Sequence, residues 1–486
     1  MKLKKLIKGL DVSVKGSKEV EITGVCSNSK FVAPGNLFIA RKGSKHDGRN
    51  FIPDAVATGA TAILTDLYDP FLGRTVQIIE KDIASLEPEL ASRYYYEPSL
   101  ELFTVGITGT NGKTTTSYLI QHLFTKKRVK CGLVGTIEYI IGNNHLNATH
   151  TTPDACTLQK LFREMILYRS KAAVMEVTSH ALDQNRADKI DFDVVLFTNL
   201  TQEHLDYHKD MKAYARAKAK LFTLLHESRK KKKIAILNAD DPWTEFFKGS
   251  IKDQIWTFGI DQPADVRITD YELQPHLSKF TVTYKEEKEE FRAPLIGLFN
   301  LYNLLGAISV GLAKGWTLKS LKNVFKEFHP VPGRMQRVPS TRKNVYIDFA
   351  HTEDALKNIL MTMKETKPER LITVFGCGGD RDRIKRPKMA RVAEKYSDFT
   401  IVTSDNPRSE EPIDICNEIA KGFVNPSSFT IEPDRKKAIK QAIEMAKKND
   451  IVLIAGKGHE VHQIFRESIV FLNDYEVASE LLSKDS

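Results

Sequence analysis

The residues Gly109-Thr110-Asn111-Gly112-Lys113-Thr114-Thr115 follow an apolar run at 105–108 and precede a helical pattern at 114–124. These residue types in that context suit a phosphate. Glycines let backbone N–H groups close on phosphate oxygens, and a helix N-terminus adds the positive end of its dipole. A lysine reaches the terminal phosphates, and a threonine hydroxyl ligates Mg²⁺. The strict spacing of such loops would put a glycine where this chain has Ile107. A glycine-rich turn in an inert domain is the alternative, but Gly-Lys-Thr directly after a buried strand favours phosphate binding.

Further groups that could do chemistry fall at the ends of other apolar runs. The run at 172–176 ends in Glu176, and the run at 193–200 leads into His204-Leu205-Asp206. In a parallel sheet those ends lie on the side of the phosphate loop, so Glu176 and His204 can converge with Thr114 on one Mg²⁺. Each alone would more often be structural or solvated. Later in the chain, Gly376-Cys377-Gly378-Gly379-Asp380-Arg381-Asp382-Arg383 and Gly456-Lys457-Gly458-His459-Glu460 also follow apolar runs, with Asp405-Asn406-Pro407-Arg408 between them. Singly these are ordinary Asx-Pro and glycine turns.

The elements that must hold these groups imply an α/β protein of three domains. At 486 residues the chain exceeds one ordinary core, at roughly 100–200 residues per domain. Residues 1–98 read as a small mixed α/β domain, with strands at 37–40 and 61–64 and a helix between them at 54–59. Residues 99–332 alternate strands (102–108, 172–177, 193–200, 234–238) with helices (114–124, 158–168, 211–225), the pattern of a doubly wound parallel sheet. Within them, 267–292 alternates like antiparallel strands and reads as an edge subdomain before a helix at 301–314. Pro330-Val331-Pro332-Gly333 is the linker candidate. Residues 333–486 resume the alternation as a Rossmann-like α/β domain, with strands at 345–348, 371–375, 399–403 and 451–455 and helices at 354–365, 388–396, 414–422 and 435–447.

Composition narrows the function classes. The formal charge of +10 raises the question of nucleic acid, yet the one dense basic run, 229–233, has no interleaved aromatics and reads as a solvated turn. A general positive excess also suits substrates rich in phosphates and carboxylates. The five cysteines are scattered without a C-x-x-C pair, which argues against a disulfide framework or a zinc cluster. No stretch approaches a membrane span, and Lys8, Asp11 and Lys15 interrupt any apolar leader segment. A cytoplasmic protein, acting as a monomer with no nucleic-acid or membrane partner, is expected.

The wording Gly-Thr-Asn-Gly-Lys-Thr resembles the Mur ligase and folylpolyglutamate synthetase superfamily, and the resemblance runs along nearly the whole chain. It implies phosphorylation of a carboxylate by ATP, then amide formation, on three domains: UDP-substrate binding, a P-loop ATPase, and amino-acid binding. Lys218 aligns with the family lysine that carries a carbamate made from CO₂ and supplies Mg²⁺ with an oxygen ligand. Gly109 to Thr115, Asn300, Asn303, Arg334 and Asp348 match the family's ATP positions, with Phe349 and Glu353 standing where the family usually has Tyr and Pro.

Cys26-Ser27-Asn28-Ser29-Lys30 resembles the uridine loop of the members that add the third residue of the peptide. The same alignment implies Ser27 and Ser29 at the uridine, and Ser44, Lys45 and His46 at the diphosphate. It implies Thr151, Thr152, Thr178, Gln184 and Arg186 at the muramoyl peptide. Asp405, Asn406, Pro407 and Arg408, with Arg381, Gly456 and Glu460, resemble the selector of the diaminopimelate-adding members. The implied substrates are UDP-N-acetylmuramoyl-L-alanyl-D-glutamate and meso-diaminopimelate. Lysine has no distal carboxylate and would leave Arg408 buried and unpaired, so strong discrimination is expected. The rivals are a lysine-adding ligase and an ATP-dependent nucleic-acid-binding module.

Overall fold

A computed structural model describes residues 1–43, 46–274 and 277–484. Its strands form three large sheets and a two-stranded hairpin. The central sheet has eleven strands. Its middle is parallel, in the order Gln254–Gly259, Ile234–Asn238, Val194–Phe197, Phe103–Thr108, Ala172–Glu176, Cys131–Val134. All residues of Val194–Phe197 and Ala172–Glu176 are buried, as strands covered by helices on both faces must be.

The two faces divide by the period of two along each strand. Val194 and Leu196 join a core made with the phosphate-loop helix Lys113–Lys126 and the almost wholly buried helix Leu298–Ala313. Val195 and Phe197 face the helices Ala155–Leu167 and Met211–Glu227. Asp154 and Asp210 cap these last two helices, accepting from Thr157 N at 2.9 Å and Ala213 N at 2.7 Å. The cap at Asp154 starts the first of them ahead of the apolar periodicity that marks 158–168.

Residues 267–292 form the antiparallel edge expected of them, but as part of the central sheet and not as a subdomain of their own. Val266–Gln274, Leu277–Tyr284 and Glu287–Ala293 are antiparallel strands that extend the central sheet, joined to it where Val266 pairs with Phe258. Val266, Ile268, Phe280, Val282 and Phe291 insert into the same core as Val105 and Leu196, which ties the hairpins to the sheet. Strands Cys131–Val134, Glu138–Ile141, Asn144–Asn147 and Gln254–Gly259 are absent from the sequence reading; they are short or half exposed.

The amino-terminal sheet has five strands, Gly24–Cys26, Asn36–Ile39, Ala62–Thr65 and Val76–Ile79 in parallel and Ser13–Lys15 antiparallel at the edge. The carboxy-terminal sheet has six, of which Asn344–Asp348, Ile451–Ala455, Leu371–Phe375, Phe399–Val402 and Phe429–Ile431 are parallel. The carboxyl ends of the central strands and of this sheet open on one cleft of about 1420 Å³. Among the described residues no helix is long and apolar enough to cross a membrane.

Candidate active site

Strand Phe103–Thr108 sits between Val194–Phe197 and Ala172–Glu176, so the loop after it emerges at a switch in strand order, where α/β sheets leave room for ligands. Gly112 caps the next helix at φ +83°, and a Cβ there would strike Asn303 Oδ1. Only glycine fits that turn and that approach. Lys113 Nζ donates to Gly109 O at 2.8 Å and Thr110 O at 2.7 Å, which folds the ammonium against its own loop. Desolvation in the cleft pushes its pKa down, against the pull of Glu203 and Glu176.

Thr114 Oγ1 donates to Glu176 Oε2 at 2.9 Å, so the loop threonine and the strand-end carboxylate meet. Thr136 also reaches that carboxylate, through Oγ1 at 2.8 Å to Oε2 and through its backbone N at 3.0 Å to Oε1. Thr136 follows a strand that the periodicity did not reveal, which is why sequence reasoning missed it. His204, at φ +57°, lines the same cleft. Burial and the neighbouring His180, Lys113 and Lys218 push its pKa down to about 4, against the pull of Glu203, so the imidazole is neutral and able to ligate.

Lys218 is 1 % exposed and donates to Gly109 O at 2.8 Å from behind the loop. Burial, reinforced by Lys113, drives its pKa well below that of an ordinary lysine. Such an amine is a nucleophile near neutral pH, as capture of CO₂ requires. Thr114 and Glu176 are hydrogen-bonded to each other and His204 lines the same cleft, whereas Lys218 lies on Gly109 O; hydroxyl, carboxylate and imidazole are donors that suit Mg²⁺.

Arg334 Nη2 lies 3.4 Å from Thr114 Oγ1, its guanidinium rests 4.5 Å over the Phe349 ring, and its buried Nε has no partner among the described residues. A guanidinium beside the phosphate loop with a donor unused fits an anionic ligand. Asp348 accepts from Met335 N and Ala350 N, each at 2.7 Å. Asn303 Nδ2 donates to Asn300 Oδ1 at 3.1 Å on the helix that backs the loop. The helix Glu353–Glu365 starts without a proline, capped by Thr352, and Glu353 and Asp354 suit the positive end of its dipole. Thr110, Asn111 and Thr115 line the cleft as well.

Glu203 is a second residue missed from the sequence. Although burial alone would raise its pKa, His351, His204 and Lys113 hold the carboxyl well below the usual range. It reaches His351 Nε2 at 3.5 Å, from the central domain to the carboxy-terminal one. Asn111 Nδ2 makes a parallel crossing to Asp354 Oδ2 at 3.1 Å.

On the far wall, Thr152 Oγ1 donates to Glu176 O at 2.8 Å, and Thr151 Oγ1 lies 3.1 Å from Thr136 Oγ1. Thr178 caps the short helix Ser179–Asp183. Arg186 forks onto Gln184 Oε1 at 2.7 Å and 3.1 Å and donates to Thr152 O at 3.0 Å. Ser27, Ser29 and His46 lie outside this cleft on the amino-terminal domain, Ser27 Oγ donating to Asp154 Oδ1 at 3.1 Å. Ser44 and Lys45 lie outside the described residues.

The carboxy-terminal loops bring Arg381, Asp405, Asn406, Arg408, Gly456 and Glu460 to the cleft, with Pro407 in the turn that carries Arg408. Gly456 adopts φ +113° where a Cβ would press on Asp405 Oδ2 at 2.8 Å. Arg408 holds a left-handed φ of +55°, a strained conformation for a large side chain. Arg408 Nη1 donates to Gly379 O at 2.7 Å and its side chain is half buried. The strand-end loops pack closely enough to offer it carbonyls, and its Nε and Nη2 have no hydrogen-bond partner among the described residues.

Three family models match the chain: "Mur ligase family, catalytic domain" over residues 21–96, "Mur ligase middle domain" over 107–311 and "Mur ligase, glutamate ligase domain" over 333–458. A UDP-N-acetylmuramoyl-L-alanyl-D-glutamate–2,6-diaminopimelate ligase of Chlamydia pneumoniae is 44% identical over 99% of both chains. The chain belongs to the Mur ligase family. A like-named Mur ligase of Caldanaerobacter subterraneus subsp. tengcongensis is 40% identical over 100% of this chain and 99% of its own. A solved structure of a like-named ligase, 30% identical, superposes with a TM-score of 0.71 over 100% of this chain and 99% of that one.

For a Mur ligase, the residues behind the carboxy-terminal loops are as telling as those in front. Arg435, fully buried with Asp474, donates to Ser404 O at 3.2 Å and Ala455 O at 2.9 Å, bracing the ends of the strands that precede the 405–408 and 456–460 loops. Arg386, also buried, joins Glu410 and Glu418 to Gly378 O at 3.3 Å. Nothing in their spacing distinguishes these arginines from surface ones, and only the packed fold exposes their role.

Proposed function

We propose that this chain joins meso-diaminopimelate to the D-glutamyl carboxylate of UDP-N-acetylmuramoyl-L-alanyl-D-glutamate at the expense of ATP, a step of peptidoglycan precursor synthesis. The observation that carries the reading is one cleft. It is lined by the Lys113 and Thr114 loop, with Glu176 behind it, and by the Asp405 to Arg408 turn with Glu460. The relatives' names specify the same reaction. Residues 1–98 are assigned to the UDP-muramoyl substrate, 99–332 to ATP and 333–486 to the amino acid. The protein is read as a cytoplasmic monomer without nucleic-acid or membrane partners.

In the first step a carboxylate oxygen of the D-glutamyl residue forms a bond to the γ-phosphorus of ATP and ADP leaves, giving an acyl phosphate. Lys113, on the loop, and the guanidinium of Arg334 beside Thr114 would neutralise charge spreading over the phosphoryl oxygens. Mg²⁺ at Thr114, Glu176, His204 and the carbamate of Lys218 would supply Lewis-acid stabilisation of the same charge. The uncharged amine of the incoming amino acid then forms the C–N bond, phosphate leaves, and the amine loses a proton. Arg186, with Gln184 and Thr152, would hold the peptide; Glu203 with His351, and Asn111 with Asp354, link the two domains across the cleft.

Phosphate release with UDP-muramoyl dipeptide and a panel of amino acids tests the reading. Release stimulated by meso-diaminopimelate far above L-lysine, with product mass raised accordingly, is expected. Comparable kcat/KM for both, or no release with either, would overturn it.

A further inference from the structure

We propose that Lys457 is a positioning residue for the incoming amino acid, its buried ammonium fixing the Asn406 amide and the Glu460 carboxylate that face it. This inference rests on the reading of Asp405 to Arg408 and Glu460 as the amino-acid pocket. Lys457 follows strand Ile451–Ala455 and is flanked by Gly456 at φ +113° and Gly458 at φ +54°. That turn drives its side chain inward, where it is 0% exposed.

Its Nζ donates to Asn406 Oδ1 at 3.1 Å, Glu460 Oε2 at 2.9 Å and His462 O at 2.7 Å. An ammonium has three N–H groups, so its donors are fully used within the protein. This separates Lys457 from Lys113: it has no donor left for a phosphate, and what it does is done through its neighbours. Asn406 Oδ1 also accepts from Ile464 N at 3.1 Å. With two donors converging on it, that atom must be the oxygen, which turns Nδ2 toward Glu460 Oε2 at 2.8 Å. Glu460 thus has Oε2 held twice. Its Oε1 has no hydrogen-bond partner among the described residues, and Glu460 lines the cleft.

The same ammonium reaches the other end of the pocket. By holding His462 it anchors the hairpin His462–Ile464 and Ile469–Phe471, and Ile464 O accepts from Arg408 N at 2.9 Å. One buried cation therefore sets both the acid that receives an amine and the backbone that presents a guanidinium to a carboxylate. A diamino acid with a distal carboxylate is recognised at both points, and loosening either should weaken its binding more than its chemistry.

The test is steady-state kinetics of Lys457→Met, which keeps the side chain's length and removes its donors. KM for meso-diaminopimelate should rise about 100-fold, with kcat at saturation and KM for ATP changed by less than about 3-fold. Hydroxylamine, a nucleophile that needs no pocket, should still drive phosphate release within about 3-fold of the parent. An unchanged KM for meso-diaminopimelate, or an equal loss of hydroxylamine-driven release, would overturn the inference. Thermal unfolding checks the fold, and should Lys457→Met not fold, Lys457→Gln carries the test with the same expected and overturning results. Arg408→Ala measured alongside separates the two readings. If it too leaves KM unchanged, the pocket assignment falls; if it alone raises KM, the pocket stands and Lys457 is only structural.

Discussion

The two walls of the cleft are built in different ways. The phosphate wall is backbone: a strand end, a turn closed by Gly112 at φ +83° and a helix start, with Lys113 and Lys218 both hydrogen-bonded to Gly109 O. The wall proposed for the amino acid is made of side chains held by other side chains and by loop carbonyls. Arg408 leans on Gly379 O, Asn406 on Glu460, and Arg435 with Asp474 braces the strands beneath. A backbone cradle suits a ligand common to many enzymes, because N–H groups and a dipole do not depend on residue identity. A side-chain pocket suits a ligand that differs between relatives, because single substitutions retune it. Phosphoryl chemistry should therefore fail at one or two residues, whereas selection should fail by degrees.

The sharpest way to break that contrast is Lys218→Ala. Loss of a charged group from the phosphate wall should abolish turnover, by about a thousandfold or more, and a short carboxylic acid in solution should restore part of it. Because burial drives the Lys218 pKa well down, dependence of activity on CO₂ should persist to near-neutral pH, where an ordinary lysine would be protonated. An unmodified ammonium seen in the nucleotide complex would refute the carbamate.

Lys113→Ala should cost about a hundredfold or more in kcat while the unfolding midpoint stays close to the parent's, since the lost contact matters mainly in the transition state. Near-normal turnover would remove Lys113 from the chemistry. On the other wall, Arg408→Ala should lower kcat/KM for meso-diaminopimelate by about a hundredfold and leave the slow rate with L-lysine nearly unchanged, narrowing the gap. An equal fall for both amino acids would show that Arg408 shapes the loop and does not select.

Asp474→Asn probes the bracing beneath the pocket. It strands the fully buried Arg435 and should destabilise the protein by about 3–5 kcal/mol, read from denaturant unfolding. The smallest effect is a pH slope. The His204 pKa falls from 6.5 to about 4 in the folded protein, so the unfolded chain binds the extra proton within that window. Stability should decline as pH drops from about 6.5 to 4, and His204→Gln should make that decline shallower.

Much of this was legible in the amino-acid order. Apolar runs marked the strands at 103–108, 172–176, 194–197 and 234–238 and those at 345–348, 371–375, 399–402 and 451–455, because strands buried on both faces have no polar positions to blur them; the four-residue run at 131–134 was too short to stand out. The glycine–lysine–threonine turn located the phosphate wall, since only a few residue types can make such a turn. An exposed strand such as Asn144–Asn147 carried no such signal. Tertiary structure alone joined residues 266–293 to the central sheet and drew Thr136 and Glu203 into the site. It alone distinguished Lys457, Arg435 and Arg386 from the many solvated cations of the chain. The physical reason is common to all of these. Sequence periodicity reports burial of apolar groups along one element, while a buried charge is defined by partners contributed from other elements, and those meet only when the chain has folded.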